Sequence, residues 1–592
     1  MIEPRVYRAA FIPALLAIVL AMFSIEGRPG PLPQGLAADV LFDGRLAELG
    51  ASQLVQRHRD RRAGSLGDRA TATDVADTFA SRGFRVERSN FSQDGKQLVN
   101  VVGRRAGSDR RQIVAVAARD ANGVPDAEGS AADTAALLEL SRVFAGRPSH
   151  KTLVLASVDG SGLGDAGAAR LADSLGDPGL VDGVVVISDL GARTARGPLL
   201  IGWSNDSSRA GIGLQRTVAD SVRQELELSV GASGPVVQLA RLAFPLGIGA
   251  QGPLLARGYD AVRLSGSGEL PPGGGSQPGD IDQDRLGGLG RAALRTLTAL
   301  DQGPPPKHGP GAYLIAVSQV IPGWSLTLLA IALLVPALVA AVDAFARARR
   351  RRIAVRPWFL WLGTWIAPFL IAFVLALLLS VVGATPNQPA GPFVPNANPL
   401  DAPALVVLAV VAAAWGLSLW AGRGLVRARR ALRERSDPGA ACALVLIGSF
   451  AALALWLLNP YAALLVLPAT HLWLLATLVR PAPPMRARLI GVTAGALLPA
   501  LVALHYMFAL SLNPLSGAWY LLLLTTGGAV GALTTLIGCV LAGTFAAALE
   551  VAAAGREQPA ARRPRQPQQP VYGPGAHAGP GSLGGTESAL RR

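Results

Sequence analysis

Three aspartates follow three apolar segments whose pattern predicts buried strands. Asp120, Asp159 and Asp189 each come within three residues of the end of such a segment. Carboxylates at neighbouring strand ends can ligate a divalent cation, and zinc also favours His. The same positions suit aspartates that cap a following turn or helix, and taken alone the pattern favours capping.

The elements that must position these aspartates alternate between short apolar runs and amphipathic segments. Because runs such as 113–116 and 153–155 are apolar on both faces, they indicate an α/β domain with a mostly parallel sheet and helices on both faces. In such a domain the functional groups lie at the carboxyl ends of the strands. The predicted strands are 84–91, 98–103, 112–117, 152–157, 183–187, 199–203 and 261–264, and the predicted helices are 37–58, 71–82, 131–144, 166–175, 208–227 and 285–300.

Long apolar runs divide the 592-residue chain. A helix needs about 20 apolar residues to cross about 30 Å of hydrocarbon. The runs predict eight spans, at 8–25, 324–346, 357–383, 402–421, 440–458, 461–479, 487–511 and 517–550. The domains expected from them are a stub with its anchor helix over 1–25, the α/β domain over 26–323, an α-helical transmembrane bundle over 324–553 and a disordered basic tail over 554–592.

Arginines determine the expected orientation of the bundle. Segments 347–356 and 423–435 each carry six Arg and 480–488 carries three, all on one side when the spans alternate. The opposite loop 384–400 has no Lys or Arg. By the positive-inside rule, both termini are cytoplasmic and the α/β domain lies outside the cytoplasm of a multi-pass plasma-membrane protein. The sequence after Met22 lacks a small-x-small pattern, so we expect the first span to remain as an anchor rather than be cleaved.

The charge and cysteine content exclude other classes of protein. The formal net charge of +15 comes almost wholly from Arg beside the apolar runs, so it reflects topology and nucleic acid is not an expected partner. Abundant Arg, Ala, Gly and Pro are typical of a GC-rich bacterial genome, such as that of an actinomycete. Cys442 and Cys539 both lie in apolar runs, which leaves the α/β domain without a disulfide framework or a thiolate metal site.

Seven segments over about 62–265 resemble, in order, segments of the di-zinc exopeptidase family, which includes bacterial leucyl aminopeptidases and glutamate carboxypeptidase. They are 62–86, Leu98-Val-Asn-Val-Val-Gly, 113–120, Leu137-Leu-Glu-Leu-Ser-Arg, 152–160, 184–190 and 251–262. The resemblance implies that family's fold, with a zinc site at the strand ends that carry Asp120 and Asp189.

Most of the zinc ligands that the resemblance implies are missing. Ala118 replaces the His of a His-x-Asp motif, and Glu128 or Gly129 replaces the bridging Asp unless a shifted loop brings in Asp126 or Asp133. The Glu-Glu pair becomes Ser161 and Gly162, and Gln251 replaces the last His. The residues of this degenerate cleft are Ala118, Asp120, Glu128, Asp159, Ser161, Gly162, Asp189 and Gln251.

Catalytic zinc requires three protein ligands and a base for its water, so neither catalysis nor a cofactor is expected of this cleft. A residual zinc site would have to use Asp120, Asp189 and Glu128.

The order of segments also resembles the attachment subunit of the eukaryotic GPI-anchor transamidase. That subunit has one N-terminal span, a peptidase-like domain that has lost zinc ligands, and several C-terminal spans. The segment 313–324, just before the second span, resembles the junction in that subunit. The resemblance implies a non-catalytic role in holding a lipid or protein substrate for a partner enzyme.

Three functions are therefore compared. The leading one is a non-catalytic membrane scaffold or receptor that binds a peptide, lipoprotein or envelope lipid, with membrane lipid and a membrane or envelope protein as partners. The alternative is an active zinc exopeptidase with ligands rearranged among Asp120, Glu128, Asp159 and Asp189. The third is a transporter or lipid flippase, which the sparse charges within the spans disfavour.

Overall fold

A computed structural model describes residues 3–33, 41–230, 233–306, 309–389, 391–425, 438–479 and 483–554. The predicted tail beyond residue 554, the start of the predicted helix over 37–58, and most of the Arg-rich segment 423–435 lie outside these residues.

Ten strands form two sheets in the described part of the chain. The strands are β1 Glu26–Gly27, β2 Arg85–Gln93, β3 Lys96–Arg105, β4 Asp109–Ala118, β5 Lys151–Val158, β6 Val181–Ser188, β7 Leu200–Ile201, β8 Ala261–Ser265, β9 Tyr313–Ala316 and β10 Gln319–Pro322. Seven of them build the main sheet in the order β2-β3-β5-β4-β6-β8-β7, and the other three form the small sheet β1-β10-β9.

The main sheet is mixed, so the expectation of a mostly parallel sheet is wrong in part. Strands β5, β4, β6 and β8 are parallel, whereas β2, β3 and β7 pair antiparallel. The reason for the β2–β3 pairing lies in the two-residue turn Asp94-Gly95, where both residues have positive φ. Such a tight turn can join only antiparallel strands, and it matches the twist of a hairpin.

The core of the α/β domain surrounds the central strands. Consecutive residues of β4, from Ile113 to Ala117, are all fully buried. Because neighbours along a strand point to opposite faces, helices must cover both faces of the sheet. The helices of this domain are α3 Gly44–Arg57, α4 Leu66–Ser81, α5 Ala132–Phe144, α6 Ala166–Ser174, α7 Ile212–Leu226, α8 Pro235–Ala243, α9 Gln251–Ala256 and α10 Gln283–Gln302.

The remaining helices are apolar and indicate a multi-pass membrane protein. They are α1 Pro4–Ala9, α2 Ile12–Phe23, α11 Gly323–Arg350, α12 Arg356–Val381, α13 Ala402–Leu425, α14 Pro438–Leu458, α15 Pro460–Leu478, α16 Met485–Gly495, α17 Leu497–Ala509, α18 Pro514–Thr526 and α19 Ala532–Ala554. Seven helices of the described chain, counting Pro4–Phe23 as one, are long and apolar enough to cross a membrane. The pair α16 and α17, bent by 45°, makes an eighth only if it forms one span.

The predicted span over 517–550 is not one helix. It is divided into α18 and α19 by residues 527–531, where Gly528 has a φ of +83°. That left-handed conformation is accessible to glycine and interrupts the helix. A helix of 13 residues such as α18 is about 20 Å long, so α18 is too short to cross about 30 Å of hydrocarbon.

The α/β domain packs directly on the bundle. The Asn459 side chain donates to the carbonyl oxygens of Leu242 and Ala243 at 3.0 and 3.1 Å. Nearby, the guanidinium of Arg241, which forms a buried ion pair with Glu269, lies over the ring of Tyr506. These contacts turn one edge of the α/β domain toward the helices, and the candidate site lies at that edge.

Candidate functional site

A small cavity of about 60 Å³ lies at the carboxyl ends of the parallel strands. Its polar lining is mainly carboxylate, contributed by Asp120, Asp126, Asp133, Asp165 and Asp189. These side chains come from the segments after β4 and β6 and from the starts of α5 and α6. The parallel topology therefore collects carboxylates from distant parts of the chain, as the sequence pattern predicts for such a sheet edge.

Asp120 is bound by the two residues that replace the Glu-Glu pair. Its carboxylate accepts hydrogen bonds from the Ser161 amide at 3.0 Å, the Ser161 hydroxyl at 2.9 Å and the Gly162 amide at 3.4 Å. Burial raises the pKa of Asp120, and the hydrogen bonds from Ser161 act in the opposite direction. Both oxygens of this carboxylate are thus engaged within the protein.

Asp133 accepts hydrogen bonds from the backbone at Asp189, and Asp189 in turn accepts hydrogen bonds from two serines. The Asp133 carboxylate accepts from the backbone amides of Asp189 and Leu190 at 2.7 and 2.9 Å. One oxygen of Asp189 accepts from the hydroxyls of Ser188 and Ser267 at 2.8 and 2.9 Å. Burial raises the pKa of both carboxyl groups, and the proximity of Asp189 raises that of Asp133 further.

Asp126 lies in a turn that only a few residue types tolerate. Its φ is +56°, a conformation that Asp adopts more readily than most residues. One carboxylate oxygen accepts from the Ser130 amide at 3.2 Å and the Ser130 hydroxyl at 2.7 Å. A Cβ at Gly129 would lie 2.5 Å from the other oxygen, so this close approach requires glycine. Burial raises the pKa of Asp126 to about 6.

Asp165 completes the carboxylate group. It accepts from the Gly249 amide at 3.0 Å, and burial raises its pKa to about 7 while Arg263 lowers it. Arg263 also lines the cavity, held by the carbonyl oxygen of Glu269 at 2.9 Å.

The predicted cleft residues separate into two groups. Ala118, Asp120, Ser161 and Asp189 line the cavity, and Gly162 contributes its amide to Asp120. The other three are placed elsewhere and are Glu128, Asp159 and Gln251.

Glu128 and Gln251 lie behind the cavity wall. Glu128 is partly exposed, and its carboxylate is 3.5 Å from the amide of Arg193. Gln251 is fully buried, and its side-chain amide donates to the carbonyl oxygen of Ile248 at 2.9 Å. Of the alternatives for the bridging position, Asp126 and Asp133 line the cavity, whereas Glu128 does not.

Asp159 belongs to a buried ion-pair network. Arg119 donates two hydrogen bonds to Asp68, at 2.8 and 2.9 Å, and lies 3.5 Å from Asp159. All three side chains are fully shielded from solvent. Asp159 also accepts from the amide of Val99 at 3.0 Å, so this aspartate joins β3 to β5.

The residues of the cleft do not fit zinc. In the described ranges no group of three or more His, Cys, Asp or Glu side chains is arranged to hold a metal ion. The positions that would supply imidazole carry Ala118 and Gln251, and the carboxylates of Asp120 and Asp133 already accept internal hydrogen bonds on both oxygens. Protein zinc sites bring three or four ligands to one point and draw mainly on His and Cys, and the cavity lining described here contains neither.

One wall of the cavity is formed by a segment that joins two helices of the bundle. Phe393 and Val394, from the segment between α12 and α13, line the cavity beside Ile248. Nothing in the sequence pairs this segment with the strand ends, so its presence could not be predicted. Asp165 and Arg263 were also missed, because neither stands in a recognisable motif.

Comparisons with known proteins give no family assignment. No family model and no curated protein sequence matches the chain. Among solved structures, an Acidobacteriales bacterium glutaminyl cyclase is 16% identical and covers 46% of this chain and 99% of its own, with a TM-score of 0.35. The zinc aminopeptidase BSAP from Bacillus subtilis is 12% identical, with coverages of 45% and 99% and a TM-score of 0.36. A Zn-dependent exopeptidase from Parabacteroides distasonis is 14% identical, with coverages of 43% and 98% and a TM-score of 0.34.

Proposed function

We propose that this chain is a non-catalytic scaffold or receptor of the plasma membrane. Its α/β domain, outside the cytoplasm, would bind a peptide, lipoprotein or envelope lipid and hold it for a partner enzyme. The observation that carries the proposal is the cavity lining, which among the described residues contains no His, Cys or Glu and in which the Ser161 hydroxyl donates to Asp120.

Hydrolysis needs a nucleophile and a group that takes its proton. Ser161 and Gly162 occupy the positions of the general base and its neighbour, and a serine hydroxyl donating to Asp120 supplies no base. The cavity between the α/β domain and the segment carrying Phe393 supports a binding role, and at about 60 Å³ it would take only a small terminal group of a ligand.

The placement relative to the membrane is supported by the segregation of Arg residues to one side of the spans. The seven apolar helices provide the anchoring surface, and α2 and α13, exposed along most of their length, would contact lipid. A protein partner in the same membrane is proposed because the order of segments resembles that of the transamidase attachment subunit.

Activity assays of the purified full-length chain test this proposal. The chain, in detergent with added zinc, is incubated with aminoacyl p-nitroanilides and with a peptide bearing N-terminal Gln. We expect no turnover above that of the Asp120→Ala and Asp189→Ala variants, with an authentic zinc aminopeptidase in the same detergent as the positive control. Turnover that either substitution abolishes would instead establish the exopeptidase alternative.

A further inference from the structure

We propose that residues 391–401, here called the lid, close the cleft, and that the short helix α18 controls the lid from within the bundle. This inference concerns access to the cleft and rests on the proposed binding function. Access can be measured without any ligand, so either proposal can fail while the other stands.

The lid reaches the cleft through two apolar side chains. Phe393 and Val394 line the cavity opposite the carboxylates, and Phe393 is only 3% exposed. Phe393 belongs to an apolar cluster that also contains Leu246 and Ile248 of the α/β domain. The lid therefore covers the cleft by van der Waals contact.

The hydrogen bonds of the lid lead to the bundle. The hydroxyl of Tyr520 donates to the carbonyl oxygen of Phe393 at 2.7 Å, and the indole of Trp519 donates to that of Asn398 at 3.2 Å. The rings of Phe393 and Tyr520 also meet edge to face, with centroids 5.3 Å apart. Within the described residues, no hydrogen bond joins the lid to the α/β domain. Because the hydrogen bonds of the lid run to α18, we expect the lid to move with α18 rather than with the strands.

Helix α18 is not itself a membrane span. It is too short to cross the membrane, and residues 527–531 separate it from α19. It packs in the same cluster as Ala376 of α12, Val407 of α13 and Leu510, which directly follows α17. A rearrangement of these helices around a lipid or a partner would move Trp519 and Tyr520, and with them the lid. The cleft is thus gated from the membrane.

Cysteine labelling measures the gate directly. Cys442 and Cys539 are replaced by Ala in the full-length chain, and Ala118→Cys places one thiol on the cleft wall. The rate of its reaction with a charged maleimide is measured in detergent. Loss of a single hydrogen bond lowers the equilibrium constant for lid closure by about fivefold. Tyr520→Phe should therefore accelerate labelling about fivefold, and Trp519→Phe by a similar factor.

A matched control separates the lid from general loosening. Tyr506→Phe removes another tyrosine hydroxyl of the same cluster, one that donates to the carbonyl oxygen of Phe244 of the α/β domain instead of to the lid. It should leave the labelling rate unchanged. Phe393→Ala, which trims the lid itself, should accelerate labelling even if Tyr520→Phe fails to fold. The proposal would be overturned if all four variants reacted at the rate of the Ala118→Cys protein without them. It would also be overturned if Tyr506→Phe accelerated labelling as much as Tyr520→Phe.

Discussion

Removing the charge of Asp126 should stabilise the protein at alkaline pH. Asp126 is buried among other carboxylates, with one oxygen accepting both hydrogen bonds from Ser130. In the Asp126→Asn variant the amide oxygen can keep these two bonds, while the side chain stays neutral at every pH. The substitution therefore changes charge with little change in shape.

The expected magnitude follows from the pKa of the carboxyl group. Burial raises that pKa from 3.8 to about 6, so between these values the folded state holds a proton that the unfolded state has lost. Stability consequently falls as the pH rises through this window, and the cost is fully present above pH 6. At ~1.36 kcal/mol per pKa unit, ionisation of Asp126 costs the folded state about 3 kcal/mol.

Thermal unfolding in detergent at pH 8 and pH 4 provides the assay. Asp126→Asn should raise the Tm at pH 8 by several degrees and leave it nearly unchanged at pH 4. The control is Asp77→Asn, which removes an exposed carboxylate on α4 and should matter little at either pH. If Asp126→Asn lowers the Tm at pH 8, and zinc raises it only in the unsubstituted chain, Asp126 is a metal ligand and the reasoning fails.

Three further predictions concern stability and topology. Arg119→Met leaves two aspartates buried without their cation and should cost about 3–5 kcal/mol in denaturant unfolding, whereas Arg62→Met, at an exposed ion pair, should cost far less. Asp133→Asn deprives one of two backbone amides of its acceptor, and at pH 4, where the folded protein holds Asp133 protonated, it should cost about 1–3 kcal/mol in the same assay, a smaller loss pointing to rearrangement. In intact cells, an impermeant maleimide should label Asp77→Cys but not Arg350→Cys, and the reverse pattern would invert the proposed orientation.

Much of the α/β domain could be predicted from the sequence, because its strands are short apolar runs with a clear period. The prediction of a mostly parallel sheet failed at β2 and β3, where the Asp94-Gly95 turn decides the direction. The small sheet of β1, β9 and β10 was missed, since its strands have at most four residues and β1 pairs with β10 across about 290 positions of the sequence.

The cleft was harder to predict than the fold. Asp120 and Asp189 could be placed because they follow central strands, whereas the cavity position of Asp126 depends on a left-handed turn that no sequence period reveals. Asp159 follows a strand in the same way but pairs with Arg119, a contact between separate segments. Phe393 belongs to a segment between two bundle helices. It lies at the strand ends only because the bundle packs against the α/β domain.

The zinc content of the purified full-length chain tests the central claim most directly. The chain is prepared without a polyhistidine tag, equilibrated with excess zinc, freed of unbound metal by gel filtration and measured by mass spectrometry of the metal. The lack of His and Cys in the described cavity lining predicts far less than one zinc per chain, with no change in the Asp120→Ala variant. One or more zinc ions per chain, lost when Asp120 or Asp189 is replaced by Ala, would contradict the account.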